Sequence, residues 1–275
     1  MKPPALVVSP AFREQLSSLE ASLPHAVILT GQPGAGLRRL ASHLGGEQAL
    51  IIEPTEATKT THGNIPIDTI RSLYTETRGA SRERQVVIID DADRMSVPAQ
   101  NAFLKLLEEP GQSVHFILTS HHPERLLPTV RSRSRVVRVP SITDEQSVKL
   151  LAPYQLDDDA TRQILFVASG RPAELIRLAI NPRARDELIM VMRDARSLLS
   201  GDRYQALKAA LSHSDTLGHA ERLLLAAQRL IEHAIRQSSD QQSIERLSQL
   251  IRTYERLQRG ANPRLQLTRF VVQYH

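Results

Sequence analysis

The stretch from 85 to 135 constrains the fold more than any other part of the chain. It begins with a short run of β-branched residues at 86–89, which is typical of a strand buried on both faces of a sheet. A helical pattern follows and is stopped at Glu109-Pro110-Gly111, and a second apolar run occupies 114–118. Buried strands that alternate with a helix in this way predict an α/β fold with a parallel sheet.

Two carboxylates, Asp90 and Asp91, directly follow the first of these strands. Side chains at the carboxyl end of a buried parallel strand face the crevice in which α/β sheets bind ligands. One interpretation is therefore that the pair ligates a metal and polarises an attacking water. The other is structural, with the carboxylates capping the turn and pairing with nearby arginines. Thr119 and Ser120 end the second strand, where a hydroxyl is placed to sense a γ-phosphate.

A glycine-rich loop at 31–36 lies between a third apolar run, 25–30, and a helical pattern over 37–44. Strand, glycine-rich loop and helix together form the context of a phosphate-binding loop, because glycines let backbone N–H groups converge on an anion. The spacing of Gly31 and Gly36 matches the G-x-x-x-x-G-K-[ST] motif, and Gly34 lies between them.

Both reactive positions of this motif are replaced. Leu37 stands in place of the lysine and cannot contact the β- and γ-phosphates, and Arg38 stands in place of the hydroxyl residue that holds magnesium. We therefore expect a degenerate phosphate loop that mainly joins strand to helix and has lost tight binding of Mg-nucleotide. Weak anion binding by Arg38 or Arg39 stays open.

Four arginines follow the second strand: Arg131, Arg133, Arg135 and Arg138. If this segment is extended, alternation places their side chains on one face. One interpretation is an exposed basic edge. The other is that one arginine reaches the nucleotide of a neighbouring subunit and stabilises the transition-state charge, as an arginine finger does.

The remainder of the chain is predicted to be helical. Pro140 closes the α/β domain, which we assign to residues 1–141. Thr143, with Gln146 three residues later, predicts a capped helix start and opens a small helical domain over 142–182. Helical patterns fill 183–275, for which we expect a bundle that packs within the chain or between chains.

The composition excludes several kinds of functional site. The chain has no Cys, which removes disulfides, thiolate metal sites and a cysteine nucleophile. It has no apolar run near the ~18 residues of a membrane helix and no signal-peptide pattern, so we expect a cytoplasmic location. The net charge of +5 arises in residues 183–275, which hold 15 basic and 10 acidic side chains. This bias suits a partner that carries phosphates, although a solvated helical surface explains it equally well.

Several stretches resemble the delta-prime family of bacterial DNA polymerase III clamp-loader subunits, which belong to the AAA+ class: 23–36, 65–73, 86–110, 115–134 and 261–267. The resemblance implies an AAA+ domain with a P-loop-type parallel sheet and helices on both faces. It also implies a helical lid and an all-α collar through which five subunits assemble. The implied partners are gamma- or tau-type ATPase subunits, a delta-type subunit, the sliding clamp and primer–template DNA.

The family's motifs carry over to five residues of this sequence. Arg133 takes the arginine-finger position of the serine-arginine-cysteine signature, in which Ser134 replaces the cysteine. Asp90 and Asp91 take the Walker B positions, and Ser120 lies at or beside the sensor-1 position.

Three further departures from the family matter. The altered phosphate loop fits the delta-prime type better than the ATP-hydrolysing gamma type. The zinc module is missing, as the absence of Cys requires, and Ala173 takes the place of the second-sensor arginine, with Arg171 nearby. The resemblance thus implies a non-hydrolysing subunit for DNA replication, with no nucleotide, magnesium or zinc of its own. A gamma-like ATPase that uses Asp90 and Asp91, or a DNA-binding adaptor that uses the basic last third, stays an alternative.

Overall fold

A computed structural model describes residues 6–55, 63–77, 84–109, 113–200, 202–237 and 241–274. The described residues fall into two compact units, the first ending at Ile180 and the second beginning at Asn181. The finer division into three domains, with boundaries after 141 and 182, stays a prediction.

The first unit is built on a parallel five-stranded sheet with the strand order β2-β3-β4-β1-β5. The strands are β1 (Ala26–Thr30), β2 (Leu50–Ile52), β3 (Gln85–Ile89), β4 (Val114–Ser120) and β5 (Arg135–Arg138). The three central strands, β3, β4 and β1, are buried along nearly their whole length. Burial on both faces explains why their sequences are nearly continuous apolar runs. The parallel pairing of the strands confirms the predicted parallel sheet.

The register of the central strands brings the candidate residues to one edge of the sheet. Thr30 at the end of β1 pairs with Ser120 at the end of β4, and Ile89 at the end of β3 pairs with Leu118. The phosphate loop follows β1 and the two aspartates follow β3. Both segments therefore open into the same crevice, as expected for the carboxyl edge of a parallel sheet.

Helices cover both faces of this sheet. Helices α1 (Arg13–Ala21) and α2 (Leu37–Gly45) bury their apolar sides on one face, and α3 (Ile67–Thr77) and α4 (Val97–Glu108) bury theirs on the other. On the second face Phe103 of α4 meets Phe116 of β4 edge to face, with ring centroids 5.1 Å apart. The predicted helix stop after α4, at 109–111, lies partly outside the described residues.

The arginine-rich segment is only partly extended. Residues Pro128–Ser132 form a short helix, α5, and only Arg135–Arg138 form a strand. The expectation that four arginines share one face of an extended segment is therefore wrong, since Arg131 lies in the helix and Arg133 just after it. Pro128 explains the difference, because its fixed φ favours the first position of a helix. Within β5, Arg138 is three residues from Arg135, so alternation places these two on opposite faces.

Three helices complete the first unit: α6 (Asp144–Leu151), α7 (Asp158–Ala168) and α8 (Pro172–Ile180). The predicted helix start at Thr143 is confirmed. Its Oγ1 accepts a hydrogen bond from the Gln146 N–H at 3.1 Å, and the Gln146 side chain accepts one from the Thr143 N–H at 3.0 Å. This reciprocal pair is a capping box.

The second unit is entirely helical in its described part, which confirms the predicted bundle. Its helices are α9 (Pro182–Ser200), α10 (Arg203–Ser212), α11 (Leu217–Gln237), α12 (Gln241–Gln258) and α13 (Pro263–Tyr274). Fully buried leucines from α9, α11 and α12 form its core together with Phe270 of α13. Within the described ranges, no helix combines the length and apolar character needed to cross a bilayer.

Candidate functional site

The glycine-rich loop after β1 keeps the shape of a tight turn. Gly34 and Gly36 have φ values of +85° and +86°, which lie in the left-handed region that favours glycine. A Cβ at Gly34 would also lie 2.9 Å from the Cβ of Glu174 in α8. The Gly34 carbonyl accepts a hydrogen bond from the Ala173 N–H at 3.0 Å. The loop is therefore packed against the start of α8. Gly34 is required by both its backbone conformation and this close approach, and Gly36 by its backbone conformation.

Leu37 directs its side chain into the core instead of the loop. Only 3% of the residue is exposed, and it packs with residues of α1, α2 and β1. Its Cδ2 lies 3.2 Å from the position that a Cβ at Gly31 would occupy. Since the motif's lysine contacts the β- and γ-phosphates from this position, the loop has no ammonium group to offer a nucleotide.

Arg38 places a positive charge beside the first Walker B-like carboxylate. Its NH1 lies 3.5 Å from Oδ2 of Asp90 and also forms an ion pair with Glu53. The Asp90 side chain is only 17% exposed, whereas that of Arg38 is 52% exposed. A guanidinium thus neutralises the carboxylates that a magnesium ion needs, and it stands where the motif's metal-holding hydroxyl should be.

Thr119 connects the two aspartates. Its hydroxyl donates to Oδ1 of Asp90 at 2.6 Å and accepts a hydrogen bond from the Asp91 N–H at 2.9 Å. Ser120 is fully buried, and its Oγ accepts a hydrogen bond from the His122 N–H at 3.2 Å. The hydroxyl that contacts the carboxylates therefore belongs to Thr119, and the sensor-1-like role of Ser120 stays a prediction.

Asp91 has an unusual backbone conformation and an altered acidity. Its φ of 48° and ψ of 49° are left-handed, and its carboxylate lies 3.4 Å from Nε of Arg94. Burial raises the pKa of Asp91, and the nearby Asp90 and Asp93 act in the same direction, whereas Arg94 and His121 oppose the rise. Each aspartate of the pair has an arginine beside it, in agreement with the structural interpretation of these carboxylates.

His121 joins the phosphate loop to this network, and the sequence analysis did not identify it. Its Nδ1 donates to the Gly31 carbonyl at 2.7 Å, and its Nε2 lies 3.8 Å from Oδ1 of Asp91. The only sequence signal is its position one residue after β4, at the edge where β1 also ends. The contact depends on the pairing of β1 with β4.

These residues do not fit a Mg-nucleotide. The lysine and the hydroxyl of the motif are absent, and a guanidinium lies between Glu53 and Asp90. Across the described ranges, no group of three or more His, Asp or Glu side chains is placed to hold a metal ion. A cavity of about 170 Å³ lies beside the loop, and apart from Arg39 its lining carries no ionisable side chain.

Arg133 lies outside the crevice, immediately after α5. Its NH2 is 2.9 Å from Oε1 of Glu108, and its NH1 donates to the Thr129 carbonyl at 3.3 Å. Its side chain remains 41% exposed. Ser134, in the place of the family's cysteine, donates its hydroxyl to the Val130 carbonyl at 2.9 Å and ties the segment to α5.

Gln100 of α4 fixes the start of this segment, and it was also missed by the sequence analysis. It is 2% exposed. Its Nε2 donates to the Met95 carbonyl at 3.2 Å and to the Arg125 carbonyl at 3.3 Å, and its Oε1 accepts from the Leu127 N–H at 2.7 Å. A signal was present, because Gln100 stands at helical spacing with the buried Phe103.

Comparison with known proteins finds similar sequences over part of this chain. A family model described as "DNA polymerase III, delta subunit" matches residues 47–143. DNA polymerase III subunit delta' of Pseudomonas aeruginosa is 29% identical over 206 residues, which cover 64% of this chain and 61% of the relative. The Escherichia coli subunit delta' is 33% identical over 154 residues, covering 54% and 45%. Over these ranges the chain is similar in sequence to the DNA polymerase III delta-prime subunits. It spans less than two thirds of the length of either relative.

Solved structures show the same fold. A DNA polymerase III gamma subunit-related protein from Thermotoga maritima superimposes with a TM-score of 0.51 at 20% identity, covering 95% of this chain and 97% of that protein. The RuvB Holliday junction branch migration motor of Thermotoga maritima gives a TM-score of 0.50 at 16% identity, covering 85% and 79%. At these identities the likeness concerns the fold alone, and it confirms the AAA+-type sheet followed by helices.

Proposed function

We propose that this delta-prime relative is a non-hydrolysing subunit of a DNA polymerase III clamp loader. It assembles with gamma- or tau-type ATPase subunits and a delta-type subunit and presents Arg133 to the nucleotide of a neighbouring ATPase subunit. In this way it helps to load the sliding clamp on primed DNA during DNA replication. Its own crevice uses no nucleotide, magnesium or zinc.

The contact between Arg38 and Asp90 is the observation that carries this proposal. A magnesium ion bound at Asp90 would have to approach a guanidinium 3.5 Å from the same carboxylate. The guanidinium spreads its positive charge over a planar group, so the metal would be repelled from this carboxylate. Together with the burial of Leu37, it argues against turnover of ATP in this subunit.

The surroundings of Arg133 support its proposed role at the nucleotide of a neighbouring subunit. The guanidinium is exposed, while the backbone that carries it is held by α4 and α5. A planar guanidinium on a fixed backbone suits bidentate recognition of phosphate oxygens. An arginine finger has these two properties: an accessible cation and a rigid support.

Titration calorimetry with Mg-ATP tests the proposal. We expect no binding in the micromolar range by the isolated chain, because Leu37 and Arg38 replace the lysine and the hydroxyl residue that contact Mg-nucleotide. A gamma- or tau-type subunit under the same conditions is the positive control. Micromolar affinity together with ATP hydrolysis that Asp91→Asn abolishes would favour the gamma-like ATPase instead.

A further inference from the structure

We infer that Glu108 is the positioning residue of Arg133. Its carboxylate holds the guanidinium in the orientation in which it meets the neighbouring subunit's nucleotide. The inference rests on the proposed function of Arg133 and adds to it a second residue, which lies on a different helix and is not part of the serine-arginine signature.

The contacts of Arg133 define one orientation of its guanidinium. NH2 lies 2.9 Å from Oε1 of Glu108, and NH1 donates to the Thr129 carbonyl at 3.3 Å. Contacts at both terminal nitrogens favour one plane of the group as well as one position. A guanidinium has five N–H groups, so further donors remain for the oxygens of a phosphate.

The carboxylate itself stands on a rigid support. Glu108 is the last residue of α4, whose first turn is capped by the Ser96 hydroxyl, which accepts from the Ala99 N–H at 3.2 Å. The same helix carries Gln100, which binds the Leu127 N–H just before α5. One helix therefore holds both ends of the segment 127–133, through Gln100 at the start and Glu108 at the finger itself.

The exposure of the Arg133–Glu108 pair agrees with a contact that orients the guanidinium and can still be broken. The side chains of Arg133 and Glu108 are 41% and 50% exposed, and ion pairs this exposed are weak. The guanidinium can therefore turn part of its surface to a phosphate at little cost. The same weakness limits the expected effect of losing Glu108 to about two- to five-fold in rate.

A double-mutant cycle in the reconstituted clamp loader tests the inference. The loader contains the gamma- or tau-type and delta-type subunits of the same organism and one of four forms of this chain: wild type, Glu108→Gln, Arg133→Ala, or both changes. The readouts are kcat and KM of DNA-stimulated ATP hydrolysis. Glu14→Gln, an exposed carboxylate on α1, is the matched control, and melting temperature and assembly are compared for every variant.

We expect Glu108→Gln to lower kcat about two- to five-fold with KM unchanged. Glu108→Asp should recover part of the loss, and higher salt should shrink it because the pair is exposed. In the Arg133→Ala background the change should have no further effect. Such non-additivity distinguishes a residue that acts through Arg133 from one that merely stabilises α4.

Two results would overturn the positioning role while leaving the proposed function intact. In both, Arg133→Ala lowers kcat. In the first, Glu108→Gln matches wild type. In the second, Glu108→Gln lowers kcat by the same factor with and without Arg133. If Arg133→Ala leaves kcat unchanged, the arginine-finger role fails, and the role of Glu108 fails with it.

Discussion

At the scale of single residues, Arg38 has the largest effect on the charge of the crevice. Arg38 replaces a hydroxyl that holds a metal with a cation that occupies the space between Glu53 and Asp90. Glu53 and Asp90 thus have the guanidinium of Arg38 as their positive partner. The sequence alone showed that Arg38 stands in place of the hydroxyl residue that holds magnesium, and the structure adds the atoms with which it pairs.

Removal of that guanidinium should make the crevice responsive to magnesium. In Arg38→Ala, Glu53 and Asp90 lose their shared cation, so we expect a lower melting temperature in chelator and recovery in millimolar Mg²⁺. Thermal unfolding followed by circular dichroism measures this response. Arg39→Ala, which leaves the pair with Asp90 intact, serves as the control. The interpretation would be wrong if wild type and Arg38→Ala respond equally to Mg²⁺.

The raised pKa of Asp91 predicts a pH dependence with a definite sign. Burial favours the neutral acid, so the stabilising contribution of Asp91 is fully present below its unfolded-state pKa of about 3.9 and is lost as the pH rises through the folded-state pKa. Asp91→Asn cannot ionise. It should therefore unfold at a higher urea concentration than wild type near neutral pH, with the difference shrinking as the solution is acidified.

Urea titrations at about pH 7 and about pH 4 measure the difference for Asp91. Asp68→Asn is the control, because the Asp68 side chain is 84% exposed in its surface pair with Arg71. A gap between Asp91→Asn and wild type that stays the same at both pH values would contradict the assignment.

At the scale of elements, α4 organises the segment that carries Arg133. The helix runs from the crevice side, just after Asp91 and the turn Ala92–Arg94, to Glu108 beside Arg133. Its twelve residues span about 18 Å at 1.5 Å per residue. It thus joins the crevice at the phosphate loop to the arginine that we assign to the neighbour's site.

Among the polar residues of α4, Gln100 is the one whose replacement we expect to lower the free energy of unfolding most. Gln100→Ala removes the hydrogen bonds of Gln100 to the Leu127 N–H and to two carbonyl groups and opens a cavity in a buried region. We expect the free energy of unfolding to fall by about 2–4 kcal/mol. Urea denaturation measures it, with Gln163→Ala on α7 as the control, since the Gln163 side chain bonds to Asp159 at the surface. A loss below about 0.5 kcal/mol would contradict a structural role for Gln100.

The elements that the sequence predicted best are those whose signal is local. The central strands are buried on both faces, and their apolar runs at 86–89 and 114–118 indicate this burial directly. The capping box at Thr143 is likewise contained within four residues. By contrast, α5 was missed because the alternating arginines after 130 suggested a strand, although Pro128 carried the helix signal.

The site contacts that the sequence could not predict all join distant segments. His121 meets Gly31 only because β1 and β4 pair side by side, and the two residues are 90 positions apart. The pair of Glu108 with Arg133 similarly depends on how α4 packs against α5. The residue types at these positions are ordinary for surface helices and turns, so no spacing rule singles them out.

At the scale of the whole molecule, the chemistry and the basic charge occupy different parts of the chain. The phosphate loop, the aspartates and Arg133 all belong to the unit ending at Ile180. The excess of basic residues lies in 183–275, which in its described part is a bundle of helices. This separation suits a subunit that acts through its neighbours, with one part offering an arginine and the other serving assembly.

The central claim is that this chain acts on ATP held by another subunit, through Arg133. The most direct measurement is DNA-stimulated ATP hydrolysis by the reconstituted clamp loader carrying Arg133→Ala. Arg135→Ala, an exposed arginine on β5, is the control. We expect Arg135→Ala to match wild type and Arg133→Ala to lose hydrolysis at the adjacent site, where an arginine finger supplies about 10³–10⁵ in rate. Unchanged hydrolysis in an Arg133→Ala complex that assembles normally would contradict the claim.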